Sequence, residues 1–247
     1  MTITNIVKTL FFVVTGHRQN VVDSWSDEER NHFWGRTRAF FDYMQYTYDH
    51  VVMFNGMANG VDRMFYNFAK KNFPSFQIIE MPCTSEMWTK FGKKAGHIRN
   101  VQMLESALDH AVSTHHSSGE IPVQVDVKLL SALEPKVTWT YDYKKRQTGG
   151  TLHCTQAGVE LFGIDDVKFI WESPERRELW RAYKAEFDAK QIHQLSLLTN
   201  KVSWNNVDGT MHWSGFGGMQ AGPEPTCEHG HSMYAISQGE FCSDCEQ

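Results

Sequence analysis

Long hydrophobic runs are absent from this sequence. No stretch approaches the roughly 18 to 20 consecutive apolar residues that a membrane-spanning helix requires. The N-terminal segment carries a single lysine, Lys8, before a short apolar run that is typical of a strand rather than of a secretory signal. We therefore expect a cytoplasmic protein with no membrane partner.

An excess of basic charge is also missing. The chain has 24 Lys and Arg residues against 29 Asp and Glu residues, which gives a formal net charge of −5. This balance argues against a protein that coats nucleic acid through general electrostatic attraction, although it leaves room for a local basic patch. Small anionic ligands remain compatible with it.

Cysteine is scarce and unevenly distributed. Of the 5 cysteines, Cys83 and Cys154 stand alone, whereas Cys227, Cys242 and Cys245 are crowded into the end of the chain. Histidines accompany these three, so the cluster suits a metal site better than a disulfide framework. This distribution also fits a reducing compartment.

What the chain does contain is a series of short apolar runs that alternate with helical patterns. The runs are β-branched or aromatic, as expected for strands buried on both faces, and they cover residues 10–14, 51–54, 76–81, 136–141 and 167–171. Helices are predicted between them, the first from a capping box at Ser26 and the last from Ser173 and Pro174. This alternation predicts an α/β fold, with a mostly parallel sheet covered by helices on both faces.

The pattern also suggests how the chain is divided. Residues 1–190 carry the strands and helices and are predicted to form one domain. Within it, residues 110–135 lengthen one connection and are predicted to be an insertion. Residues 191–224, rich in glycine and polar residues, are predicted to be a linker before a small C-terminal unit at 225–247.

Glycines and basic residues recur where the predicted strands end. The carboxyl ends of parallel strands share one edge of the sheet, and ligands bind there in open α/β sheets. Glycine lets backbone N–H groups approach a ligand, and a helix N-terminus favours an anion. One such turn is more often only a turn, but four on one edge favour a phosphate-binding site. The predicted ligand-binding residues are Gly16, His17, Arg18, Gly56, Gly60, Asp62, Lys94, Gly96, Arg99, Asn100, Gly149, Gly150 and Thr151.

Four segments at these strand ends carry a family resemblance: TGHR, NGMANGVDRMFYNFAKK, FGKKAGHIRNVQML and TGGTLHCTQAGVELFGI. Their order and spacing resemble the SLOG superfamily, most closely its YspA-type members, which are related to YpsA. The resemblance covers roughly residues 8–170, and the insertion departs from it. It implies a Rossmann-like sheet that binds a nucleotide or a nucleotide-derived ligand, with Arg18 and Arg99 beside the ligand and Gly149–Thr151 on its phosphate. A homo-oligomer is compatible with it.

The sequence leaves open whether the ligand is cleaved. Relatives of the lonely-guy type are phosphoribohydrolases with a carboxylate just after the Gly-Thr turn, where this chain has Leu152, His153 and Cys154. The candidate catalytic residues are Asp62, from another strand end, and His153, which can act as an acid or a base. Glu80 is a further candidate acid. Cys154 either has a lowered pKa near the helix N-terminus or packs beneath the turn.

The sequence therefore favours a protein that senses, carries or sequesters a phosphate-containing nucleotide or nucleotide-derived small molecule. The first alternative is a hydrolase of a nucleotide's N-glycosidic bond, which needs a substitute carboxylate. The second is a nucleic-acid processing or binding protein, with a basic strip and stacking aromatic side chains. The residues available for that role are Lys93, Lys94, Lys144, Lys145, Arg146, Trp204, Trp213 and Phe216.

The C-terminal unit has the ligand spacing of a zinc site. The predicted ligands are Cys227, His231, Cys242 and Cys245, with His229 as the alternative to His231. This arrangement resembles a zinc ribbon or knuckle, and four protein ligands would make the zinc structural because no coordination position remains for water. So short a segment has almost no core, and metal binding would supply its folding energy. A flexible tail with reactive thiols is the alternative.

Overall fold

The computed structural model describes residues 6–117, 122–133 and 149–201. Strands and helices alternate along these residues. They are β1 (Val7–Gly16), α1 (Gln19–Val22), α2 (Asp27–Thr47), β2 (His50–Asn55), α3 (Val61–Asn72), β3 (Gln77–Glu80), α4 (Ser85–Phe91), α5 (Ala95–Ser117), β4 (Val123–Ala132), α6 (Gly150–Phe162), β5 (Val167–Phe169) and α7 (Pro174–Lys201). Short 3₁₀ turns, Gly92–Lys94 and Ile164–Asp166, precede α5 and β5.

The strands form one parallel sheet in the order β3-β2-β1-β4-β5. The predicted α/β fold with a parallel sheet is therefore confirmed, and the sheet is Rossmann-like. The chain places β2 and β3 on one side of β1, and β4 and β5 on the other. The strand order thus reverses between β1 and β4, and such a reversal opens a crevice outside the carboxyl ends of the two strands.

Helices cover both faces of the sheet, because alternate residues of a strand point in opposite directions. On β1, Leu10, Phe12 and Val14 belong to a hydrophobic cluster with α2 and α3, whereas Phe11 and Val13 belong to a cluster with α5, α6 and α7. Burial on both faces explains why β1 is apolar almost throughout its length.

The two helix starts predicted from the sequence are also present. Ser26 Oγ accepts a hydrogen bond from the Glu29 backbone N–H at 3.2 Å, and the Glu29 carboxylate accepts one from the Ser26 N–H at 2.8 Å. This is a complete capping box at the start of α2. At the start of α7, Ser173 Oγ accepts a hydrogen bond from the Arg176 N–H at 3.2 Å.

The prediction of an insertion at 110–135 is wrong for most of that segment. Helix α5 continues to Ser117, and residues 123–132 form β4, which pairs with β1 along its whole length. In the first half of β4 polar residues alternate with valines, so this part of the strand does not appear as a continuous apolar run. Two of them have polar partners: Asp126 accepts a hydrogen bond from the Tyr48 hydroxyl at 2.6 Å, and Lys128 lies 2.9 Å from Asp166. The strand predicted at 136–141 lies outside the described residues.

The chain divides into two compact units, Met1–Ala185 and Glu186–Gln247. Helix α7 continues to Lys201, so the first residues of the predicted linker are helical; they contain no glycine or proline to end the helix. The rest of the predicted linker lies outside the described residues. Within the described ranges, no helix combines the length and the apolar character needed to cross a bilayer.

Candidate functional site

The loops that follow β1 and β2 are joined by backbone hydrogen bonds. The Val61 N–H donates to the His17 carbonyl at 3.0 Å, and the Gln19 N–H donates to the Asn59 carbonyl at 3.2 Å. Gly60 has a φ of +114°, and a Cβ on it would lie 2.4 Å from the His17 carbonyl oxygen. Only glycine fits there. The first two of the predicted strand-end loops therefore form one surface.

Arg99 and Asp62 form a buried ion pair at this edge. Arg99 Nη1 lies 3.4 Å from Asp62 Oδ2, and the two residues are 7% and 5% exposed. The guanidinium occupies the space beside the Gly56 backbone: a Cβ on Gly56 would lie 1.0 Å from Nη1. Arg99 on α5 thus requires a glycine at position 56, after β2. The contact between these two residues brings the second and third predicted loops together.

The guanidinium of Arg99 is incompletely satisfied. Its Nε is buried and has no hydrogen-bond partner within the part of the chain that the structure describes. Nη1 contacts Asp62 and, at 4.0 Å, Met103 Sδ. A buried donor without an acceptor costs about 1–3 kcal/mol, and more when the group is charged. The side chain therefore has a donor available for an anion.

Burial raises the pKa of Asp62 from its ordinary value of 3.8 to about 6. The positive charge of Arg99 and hydrogen bonds from Arg99, Ala58 and Gly16 act in the opposite direction, but they are outweighed by the loss of water around the carboxylate. A carboxyl group with this pKa is partly protonated under mildly acidic conditions, so it has the properties of an acid–base group.

Two buried asparagines hold the backbone around the ion pair. Asn55, the last residue of β2, donates from Nδ2 to the Asp62 carbonyl at 2.8 Å and accepts from the Met57 N–H at 2.7 Å. The second bond accompanies a left-handed Met57, whose φ is +57°. Asn100 donates to the Gly150 carbonyl at 3.0 Å, which ties α5 to the start of α6.

The start of α6 faces this group of residues. Its N-cap, Gly149, supplies no side-chain cap, so within the described residues the first N–H groups of the helix are open to an acceptor. Thr151 is buried, and its carbonyl accepts a hydrogen bond from the Thr155 hydroxyl at 2.7 Å. Thr155 in turn is 2.7 Å from Ser131 Oγ on β4. The first turn of α6 is therefore fixed to the sheet.

Two histidines lie face to face beside this turn. The rings of His97 on α5 and His153 on α6 have centroids 4.6 Å apart and planes inclined by 12°. Burial and the positive charge of Arg18 lower the pKa of His97. Arg18 itself is exposed at the start of α1. The predicted site residue Arg18 is thus close enough to His97 to act on it electrostatically.

The remaining predicted residues occupy the margin of the site. Gly16 packs against Val61, because a Cβ on Gly16 would lie 2.2 Å from Val61 Cγ1. Lys94 is exposed in the 3₁₀ turn, and Gly96 is half-buried in the first turn of α5, where an added Cβ would meet no described atom within 4 Å. His17 contributes its carbonyl to the loop hydrogen bonds.

The candidate catalytic groups differ in their suitability. Glu80 is exposed, and its carboxylate accepts a hydrogen bond from the Tyr66 hydroxyl at 2.7 Å. Cys154 is fully buried, which raises the pKa of its thiol to about 12, so the possibility of a lowered pKa is wrong. The thiol packs beneath the turn, and its environment includes Thr15, Asp62 and Arg99. Asp62 is the candidate acid that lies beside Arg99.

Three residues of this edge were not predicted from the sequence as site residues. Asn55 carried a signal, since it is a polar residue at the end of an apolar strand and directly precedes a glycine. His97 stands inside the GKKAGHIRN segment, but its stacking on His153 depends on the packing of α5 against α6. Thr15 resembles any other residue of a buried strand.

The predicted zinc ligands Cys227, His231, Cys242 and Cys245, and the alternative His229, lie outside the described residues. So do the predicted basic residues 144–146 and the aromatic residues Trp204, Trp213 and Phe216. Within the described ranges, no group of three or more His, Cys, Asp or Glu side chains is placed to hold a metal ion.

No family model matches this chain, and neither a curated protein nor a solved structure matches it.

Proposed function

We propose that this edge of the sheet binds the phosphate of a nucleotide or of a nucleotide-derived small molecule, and that the protein senses, carries or sequesters that molecule. The observation that carries the proposal is the buried Arg99, whose Nε lacks a partner among the described residues. A phosphate oxygen would satisfy this donor with a charge-assisted hydrogen bond, which is stronger than a bond between neutral groups.

The charges around Arg99 support an anionic ligand. Asp62 offsets the charge of Arg99, and the raised pKa of Asp62 shows that its ionised form is poorly stabilised. The exposed cations Arg18 and Lys94 add positive charge, and the open N–H groups at the start of α6 favour an anion. The surplus charge at the site is therefore positive.

The position of the residues supports a nucleotide rather than a simple inorganic anion. Arg18 follows β1, and Gly149 and Gly150, at the start of α6, come after β4 in the chain, so they flank the point where the strand order reverses. Crevices at this point hold nucleotides in doubly wound sheets. The resemblance of the strand-end motifs to the SLOG superfamily favours the same class of ligand.

The proposal is tested by incubating the protein with nucleoside monophosphates, ADP-ribose and cyclic dinucleotides, and by measuring which compound is retained and recovered intact. Replacing Arg99 with Ala is expected to weaken binding of the retained compound by about 1.5–3 kcal/mol. Arg99→Lys should lose most of the same affinity, because an ammonium group cannot reproduce the planar fork of donors.

Arg38→Ala is the matched control. Arg38 is an exposed arginine on α2 that pairs with Asp42 at 3.1 Å, remote from the strand-end loops in the chain, and its loss should leave binding unchanged. Retention of none of the compounds, or an unchanged affinity in folded Arg99→Ala, would refute the proposed site.

Cleavage of an N-glycosidic bond is the second candidate function, and the raised pKa of Asp62 is the observation that favours it. In that case free base would accumulate in the same incubation. Asp62→Asn should then stop its release while the uncleaved nucleotide is still retained. Release of base at the wild-type rate by Asp62→Asn would exclude Asp62 as the acid.

For the C-terminal unit, the sequence supports a structural zinc ion held by Cys227, His231, Cys242 and Cys245. Metal analysis of the full-length protein should give one zinc per chain, and Cys242→Ser should lower that value. Replacing His229 and His231 separately with Ala would show which one binds. The thiolate ligands, and the free Cys83 and Cys154, also support a reducing, cytoplasmic location.

A further inference from the structure

The two stacked histidines stand where α5 and α6 begin. His97 is in the first turn of α5 and His153 is in the first turn of α6, and their rings lie 4.6 Å apart. A Cβ on Gly150 would lie 4.0 Å from His97 Cδ2 and 3.9 Å from Asn100 Nδ2. The imidazoles are therefore next to the open N–H groups of α6.

The surroundings bias His97 toward its neutral form. The elements that begin or end near the two rings carry these charged or titratable side chains: Arg18 before α1, Asp62 on α3, Lys93 and Lys94 in the 3₁₀ turn, Arg99 on α5 and Cys154 on α6. Arg18 and burial both lower the pKa of His97. Two protonated rings at this separation would also repel each other, so the pair can accept one proton much more easily than two.

A bound phosphate would reverse this bias, because it places negative charge beside the rings. A phosphomonoester carries up to two charges near neutral pH, whereas a phosphodiester carries one. The monoester therefore stabilises an imidazolium more strongly and gains a charged hydrogen-bond donor in return.

We infer that His97 and His153 form a proton-accepting subsite that selects ligands with a terminal phosphomonoester over phosphodiesters. This inference rests on the proposed function, since it assumes that the phosphate binds at the start of α6. It narrows the ligand class to monophosphates of nucleosides or sugars and disfavours cyclic dinucleotides.

The pH dependence follows from the same charges. Binding of a dianion raises the pKa of the pair, so the ligand binds with uptake of a proton between the free and bound pKa values. Affinity should therefore increase as the pH falls through the bound value and level off below the free value. The second pKa of a phosphomonoester is about 6, so the effect is measured above that pH, where the ligand stays dianionic.

The test uses ribose 5-phosphate and its phosphate methyl ester, which lack a base and differ in one charge. Calorimetry in buffers of different ionisation enthalpy counts the protons taken up by the wild-type protein and requires no variant. Ribose 5-phosphate should bind with uptake of a proton, and its affinity should increase by up to about tenfold for each unit of pH between about pH 8.5 and about pH 6.5. The methyl ester should bind more weakly and without this dependence.

His97→Gln and His153→Gln should each reduce the pH dependence and the preference for the monoester. His50→Gln is the control, because His50 is exposed at the amino end of β2, on the opposite edge of the sheet. Equal affinity for the two probes, a pH-independent affinity for ribose 5-phosphate, or no binding of it would overturn the inference. If the nucleotide panel still yields an Arg99-dependent ligand, the proposed function survives that result.

Discussion

The two faces of the sheet are built from different kinds of residues. The face covered by α2 and α3 is dominated by aromatic rings in mutual contact. Phe41 alone touches Phe12, Phe65, Phe68, Phe73 and Phe76, with ring centroids 5.3–6.2 Å apart. The face covered by α5, α6 and α7 mixes rings such as Phe11, Phe54 and Trp180 with smaller side chains, among them Ala107, Cys154 and Val159.

Buried polar groups are concentrated on the second face and at the carboxyl edge of the sheet. Arg99 and Asn100 on α5, Thr151 and Thr155 on α6, and Ser131 on β4 are all buried. Each polar group removed from water costs free energy unless it is paired, so we expect this side of the molecule to contribute less to stability. The comparison assigns most of the stability to the aromatic face, whereas the binding site that we propose lies at the polar edge.

The largest expected effect is on the aromatic face. Phe41→Ala removes a fully buried ring and should lower the free energy of unfolding by about 3–5 kcal/mol. Denaturant unfolding monitored by circular dichroism measures this loss. Tyr46→Ala, on the same helix but 93% exposed, should have little effect. A loss of less than about 1 kcal/mol in Phe41→Ala would contradict the assignment of stability to this face.

Gly56→Ala should produce a smaller effect, and on binding rather than mainly on folding. The new Cβ would occupy the position of Arg99 Nη1, so the guanidinium must move away from Asp62 and from the proposed phosphate position. Affinity for the retained nucleotide should fall by about 1.5–3 kcal/mol, as in Arg99→Ala. Titration calorimetry tests this.

Gly35→Ala is the control for that experiment. Gly35 lies within α2, with no atom within 4 Å of a new Cβ, so the substitution should raise helix stability by about 0.5–1 kcal/mol without changing affinity. Wild-type affinity in Gly56→Ala would show that the position of Arg99 over this glycine is irrelevant to the ligand.

A third prediction concerns the pH dependence of stability at the polar edge. Because burial raises the pKa of Asp62 to about 6, the folded state retains this proton at pH values where the unfolded state has lost it. The contribution of Asp62 to the free energy of unfolding should therefore fall as the pH rises from about 4 to about 6, by about 1–3 kcal/mol, and then stay constant.

The measurement compares the free energy of unfolding of the wild type with that of Asp62→Asn across this pH range. The difference between the two proteins should change with the stated sign. A difference that does not vary with pH, or one that grows in favour of the wild type as the pH rises, would mean that the carboxyl group is not destabilised by burial. Phe41→Ala should show no such pH-dependent difference from the wild type, since no charge is lost.

Much of the fold could be predicted from the sequence, for identifiable reasons. β1 and β2 are buried on both faces, so they appear as continuous apolar runs. Ser26 and Pro174 mark helix starts through local hydrogen bonding and fixed φ. β4 could not be found in the same way, because the alternation of Gln124, Asp126 and Lys128 with valines is tolerated only where partners such as Tyr48 and Asp166 satisfy the polar groups.

The candidate site was predicted in part. Glycines next to basic residues at strand ends are visible along the chain, because backbone approach and anion binding place constraints on residue type. The pairing of Arg99 with Asp62 was not predicted, and neither was the stacking of His97 on His153. In both pairs the partners are distant in the chain and meet only through the packing of helices on the sheet.

By itself, the sequence determined the parallel α/β fold and which residue types gather at the carboxyl edge, since both follow from local patterns of burial and turn formation. Only the tertiary structure decided the hydrogen bonding and the ionisation of those residues. Arg99 packs against Gly56, and its Nε has no partner among the described residues. Burial raises the pKa of the Asp62 carboxyl group and of the Cys154 thiol. The physical reason is that desolvation and charge pairing depend on distances between segments, which residue order alone does not contain.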